Sequence, residues 1–125
     1  MSEHDEQTAL FSLIAKYEAQ YPELGLAFAI PNGGHRHVSV ASKLKQEGVK
    51  AGVPDIFLPV MRYEGWEHDV PYGGLFIELK YGKNRCQPSQ TAWHVKLHNA
   101  GYKVVVCYGW QEAWDAICGY LGIQA

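Results

Sequence analysis

Apolar residues recur three or four apart near the start of the chain. Leu10, Leu13, Ile14, Tyr17 and Tyr21 predict an amphipathic helix over residues 8–20, ended by Pro22 and Gly25. The run Leu24 to Ile30 precedes the turn Pro31-Asn32-Gly33-Gly34 and reads as a strand. Residues 38–47 predict a short helix closed by Gly48, and residues 53–60 a second strand. Arg62 to Pro71 is polar and reads as a loop or a long hairpin tip. Gly73-Gly74 opens a third strand, Leu75-Phe76-Ile77-Glu78-Leu79-Lys80. Pro88 suits the first turn of a helix running to about Ala100, stopped by Gly101. Tyr102 to Tyr108 contains the unbroken run Val104-Val105-Val106-Cys107, the pattern of a strand buried on both faces. Ala113, Trp114, Ile117, Cys118 and Leu121 give a last amphipathic helix.

This order predicts an α/β domain with a central mixed sheet flanked by helices. The length of 125 residues fits one domain, with residues 1–7 expected to be disordered. An apolar fraction of 47% suffices for a real core. Cys86, Cys107 and Cys118 are odd in number and lack C-x-x-C spacing, which disfavours a disulfide framework or a cysteine zinc site. The acidic start Glu3-His4-Asp5-Glu6 is unlike a signal peptide. No apolar run approaches the roughly 20 residues that span a bilayer. The expectation is a soluble, cytoplasmic protein that does not engage membranes.

The chemistry gathers on the third strand. Alternation puts Leu75, Ile77 and Leu79 on one face and Phe76, Glu78 and Lys80 on the other. Two charged residues on the second face of an interior strand require partners or a metal, because desolvating an ion costs several kcal/mol. The plainer alternative is an edge strand with a solvated Glu–Lys pair. Asp55 tips the balance, since a hairpin joining the two strands would set it beside Glu78. Adjacent carboxylates repel unless a cation lies between them, and such oxygen ligands suit Mg²⁺ or Mn²⁺. Lys80 would orient a water or stabilise charge on a phosphate.

Net charge is −2, so any attraction to nucleic acid must be local. From Leu79 to Gln111 the chain holds Lys80, Lys83, Arg85, Lys96 and Lys103 and no carboxylate side chain. A second stretch holds Arg36, Lys43, Lys45 and Lys50 against the single Glu47. These stretches read equally as solvated faces.

The pattern Pro54-Asp55, about 20 residues, then Glu78-x-Lys80 resembles the PD-(D/E)XK nuclease superfamily. Gly52-Val53-Pro54-Asp55-Ile56, Gly74 to Lys80, Gln90 and Gly101-Tyr102-Lys103-Val104 sharpen the resemblance to the VRR-NUC (virus-type replication-repair nuclease) family. The likeness runs from about Glu18 to Leu121 and is closest to standalone members encoded by phages or prophages. It implies a restriction-endonuclease-like fold and a Mg²⁺- or Mn²⁺-dependent DNA endonuclease. The implied substrates are branched or flap structures such as four-way junctions, and the implied state is a homodimer. Carried over, the metal ligands fall on Asp55, Glu78, the backbone carbonyl of Leu79, and Glu18. The motif lysine and glutamine fall on Lys80 and Gln90. Glu18 also lies four after Ile14, on or beside the apolar stripe. Gln90 shares a helix face with Trp93 and Leu97 and can point back to the sheet.

Candidate phosphate contacts are Arg36, His37, Lys43, Lys45, Lys50, Lys83, Arg85 and Lys96, with His35 also flanking Arg36. Trp66, Tyr63 and Tyr72 are candidate interface aromatics. His94 and His98 have the spacing of zinc proteases, but Val95 stands where those enzymes need a glutamate. Gly33-Gly34 is too short for a phosphate-binding fingerprint. The competing functional readings are a sequence-specific restriction-type endonuclease and a non-catalytic DNA-binding or scaffold protein.

Overall fold

Six consecutive buried residues, Leu75–Lys80, form the strand around which the other elements are arranged. A computed structural model describes residues 1–31, 38–64 and 70–124. In chain order the elements are α1 (Glu3–Tyr17), a 3₁₀ turn (Pro22–Leu26), β1 (Phe28–Ala29), α2 (Val38–Gln46) and β2 (Ile56–Leu58). They continue with β3 (Leu75–Lys80), α3 (Pro88–Asn99), β4 (Lys103–Tyr108) and α4 (Trp110–Leu121). The sheet order is β1-β2-β3-β4. β2 pairs antiparallel with β3, matching Ile56 to Ile77, and β3 pairs parallel with β4. This is the α/β architecture with a mixed sheet that the hydrophobic pattern predicts.

The core lies on one face of the sheet. Leu75, Ile77 and Leu79 meet Leu10 and Ile14 of α1 and Ala113, Ile117 and Leu121 of α4. Each fully buried Leu or Ile contributes roughly 1.5–3 kcal/mol. Tyr120 is buried with them and donates its hydroxyl to the carbonyl of Val60 at 2.6 Å. On the opposite face the rings of Phe57 and Phe76 stack with centroids 4.2 Å apart, and Tyr102 meets both edge-on.

Several expectations are corrected. The first helix begins at Glu3, inside the stretch expected to be disordered. Ser2 caps it by accepting from the Asp5 N–H. The buried Glu6 ties it down, accepting the backbone N–H of Trp110 at 2.7 Å. The strand expected over residues 24–30 is instead a 3₁₀ turn and a two-residue β1, because Pro22 starts a tight turn that buries Leu24. The strand expected over residues 53–60 narrows to Ile56–Leu58. β4 is not covered on both faces: it is the sheet's edge, and Val106 and Tyr108 are 38% and 41% exposed. Arg62 and Tyr72 form an isolated antiparallel bridge. Tyr63 is exposed, Tyr72 packs against the core, and Trp66 lies outside the described residues. Among the described residues no helix is long and apolar enough to cross a membrane.

Candidate active site

The β2–β3 register brings Ile56 opposite Ile77, so Asp55 comes next to Glu78. Asp55 Oδ2 accepts the backbone N–H of Leu79 at 2.7 Å, which fixes the carboxylate at the strand end. Glu78 is 1% exposed and Lys80 6%. The burial that the alternation pattern implied for these two charged side chains is therefore real.

Burial pushes the Glu78 carboxyl up from an ordinary 4.5 to about 9, helped by a hydrogen bond with Asp55 and by its charge, while Lys80 opposes the rise. The metal-free pair thus holds a proton in the place where a cation would hold two carboxylates together. This is the observation by which the residues fit Mg²⁺ or Mn²⁺: the buried Glu78 carboxyl on β3 faces the half-buried Asp55 carboxylate just before β2. No cluster of three His, Cys, Asp or Glu side chains suited to a metal stands among the described residues. Asp55 and Glu78 are the two side chains here whose oxygens would hold such an ion.

α3 closes the site from the second face. Gly52, at φ +94°, has room only for hydrogen: a Cβ there would fall 2.7 Å from the carbonyl oxygen of Ser89. That close approach seats the first turn of α3 against the segment leading to Asp55. Gln90 Oε1 accepts from Lys80 Nζ at 2.8 Å and from the Gln87 backbone N–H at 2.7 Å. Gln90 Nε2 donates to Glu78 Oε2 at 3.3 Å. One turn later, His94 Nε2 lies 3.2 Å from Glu78 Oε1. Burial first, and then Lys80, lower the pKa of His94.

Asp55, Glu78, Leu79, Lys80 and Gln90 are thus brought together. Glu18 is not. It is exposed at the C-terminal end of α1, with its carboxylate folded over Gly25, where a Cβ would sit 2.8 Å from Oε2. The carboxylate of α1 that acts on Glu78 is Glu3, fifteen residues away at the other end, roughly 20 Å along the helix. The apolar stripe held that signal: from Leu10, four residues back is Glu6 and seven back is Glu3. His94 was also legible, four after Gln90 on one helix face, but was weighed only as a partner of His98. His98 is exposed.

Lys83 and Arg85 are exposed between β3 and α3, and Lys43, Lys45 and Lys50 are exposed on and after α2. Lys96 is exposed on α3 and lies over the Trp93 ring at 5.3 Å. Arg36, His35 and His37 lie outside the described residues, as do Gly33 and Gly34.

The VRR-NUC domain model matches residues 3–111. A solved structure described as a VRR-NUC domain protein superposes with a TM-score of 0.76 at 26% identity. The match covers 99% of this chain and 91% of that one. No curated protein matches the chain. The domain is a nuclease domain of the PD-(D/E)XK type. On the family match across most of its length and the shared fold, the chain belongs to the VRR-NUC domain family.

Proposed function

We propose that this protein is a Mg²⁺- or Mn²⁺-dependent DNA endonuclease that works as a homodimer on branched DNA such as four-way junctions. The observation that carries the reading is the buried Glu78 carboxyl paired with the half-buried Asp55 beside the buried Lys80, with Glu78 held protonated up to about pH 9. Asp55, Glu78 and the Leu79 carbonyl would hold the cation. The ion, when bound, supplies Lewis-acid polarisation of the phosphate and makes water a readier nucleophile.

The chain's own residues do the rest. Glu78 gives up its proton on loading, so metal affinity rises with pH. Lys80 is anchored through one N–H to Gln90, which leaves its ammonium two further donors for a phosphate oxygen or the attacking water. Lys43, Lys45, Lys50, Lys83, Arg85 and Lys96, with Arg36 and His37, would bind flanking phosphates. One domain carries one site, and cutting a junction symmetrically takes two, which two-fold pairing supplies.

The test uses end-labelled four-way junction and linear duplex, each with Mn²⁺ and with chelator. The expected result is junction cleavage in Mn²⁺ only, by a protein that runs as a dimer in light scattering. Its affinity should fall steeply with salt, with a log–log slope of about one per phosphate contact. A monomer that cuts both substrates equally would remove the branched-DNA and dimer claims. Binding without cleavage in any divalent metal would favour a scaffold.

A further inference from the structure

Glu78 is held by two side chains of α3, and the pattern that picks out the site accounts for only one of them. A glutamate has three side-chain torsions, and beside its hydrogen bond with Asp55 the two α3 contacts, one to each oxygen, fix the carboxylate plane. Gln90 supplies the bond to Oε2, at a long 3.3 Å, while its own oxygen is engaged by Lys80 and Gln87. His94 supplies the contact to Oε1 at 3.2 Å, from a side chain only 15% exposed. Both come from one face of a regular helix, so their spacing is set by the helix itself.

We infer that His94 is a positioning residue, holding Glu78 Oε1 through its Nε2–H so that the carboxylate stays turned toward Asp55 and keeps its affinity for a divalent cation. The inference rests on the metal-dependent reading above. An outer partner of this kind orients a ligand without touching the ion, and its loss lowers metal affinity by about 10–100-fold. The proton on Nε2 is assigned from the carboxylate it faces. His94 does not serve as half of a zinc pair: it contacts Glu78 while His98 is exposed.

Calorimetric titration of the full chain with Mn²⁺ tests this directly. It compares wild type, His94→Leu, His94→Gln and Asp55→Asn, each checked for folding by circular dichroism. His94→Leu keeps bulk and removes the donor, and should weaken binding by about 10–100-fold. His94→Gln places an amide N–H within similar reach and should recover affinity to within a few-fold of wild type. Electron spin-echo spectra of the Mn²⁺ protein should lack a directly coupled nitrogen.

Unchanged affinity in His94→Leu overturns the inference. So does a His94→Gln variant as weak as His94→Leu. A coupled ring nitrogen would make His94 a ligand and overturns it too. The metal reading itself fails, and the inference with it, if wild type binds no Mn²⁺ or if Asp55→Asn binds as tightly as wild type.

Discussion

At the level of single residues, Glu78 makes stability depend on pH in a direction opposite to that of most carboxylates. Its folded pKa is raised from 4.5 to about 9, so between those values the folded protein binds the proton and the unfolded chain does not. Stability from this group is complete below about pH 4.5 and declines as pH rises through about 9. His94 works in the other sense but below its ordinary 6.5, while the thiols of Cys86, Cys107 and Cys118, raised by burial, act in the same sense as Glu78 only as pH nears 9. The metal-free protein should therefore melt at progressively lower temperature from pH 7 to 9, and Glu78→Gln should flatten that dependence. A wild-type melting temperature that rises over this interval would show that Glu78 is not held protonated. Asp55 needs a different variant. Its carboxylate satisfies the Leu79 N–H, so Asp55→Ala orphans a buried donor, which costs about 1–3 kcal/mol. Asp55→Asn keeps an acceptor there and is the cleaner way to remove a ligand.

Among the elements, α1 is tied to α4 through its N-terminal turn. α4 starts at a glycine N-cap with no side chain to offer, and Glu6 of α1 supplies the missing acceptor from 104 residues away in sequence. Removing a helix cap costs about 1–2 kcal/mol, so Glu6→Ala should lower the melting temperature by several degrees. Glu6→Gln, which retains an oxygen, should recover most of that; equal loss in both variants would point to charge rather than the hydrogen bond. The elements with a strong local signal were legible in the sequence: α1 from Leu10 onward, β3 and α4 by periodicity, and α3 by Pro88 at its start and Gly101 at its end. Those decided by tertiary contact were not. Residues 3–7 are helical because Glu6 finds a donor on a distant helix. The run Val104–Cys107 matches a fully covered strand, yet its place at the sheet edge depends on a strand order that hydropathy does not encode.

Across the molecule, the site is a meeting of two strands and a helix. Asp55 and Glu78 were readable because a hairpin register is a near-neighbour relation. Gln90 was readable from the family resemblance, and its face on α3 agreed. Glu18 misled because helical position near the stripe says nothing about which end of α1 reaches the carboxylates. Glu3, whose charge acts weakly on Glu78, sits in the stretch expected to be disordered. The central claim is that Asp55 and Glu78 form one metal-dependent cleavage site, and it is tested by timing the cutting of labelled junction DNA in Mn²⁺. The comparison is wild type against Asp55→Asn and Glu78→Gln at matched fold. The account predicts that wild type cuts, that chelator stops it, and that each variant loses at least a hundredfold in rate while remaining folded. Cutting at the wild-type rate by either folded variant would contradict it.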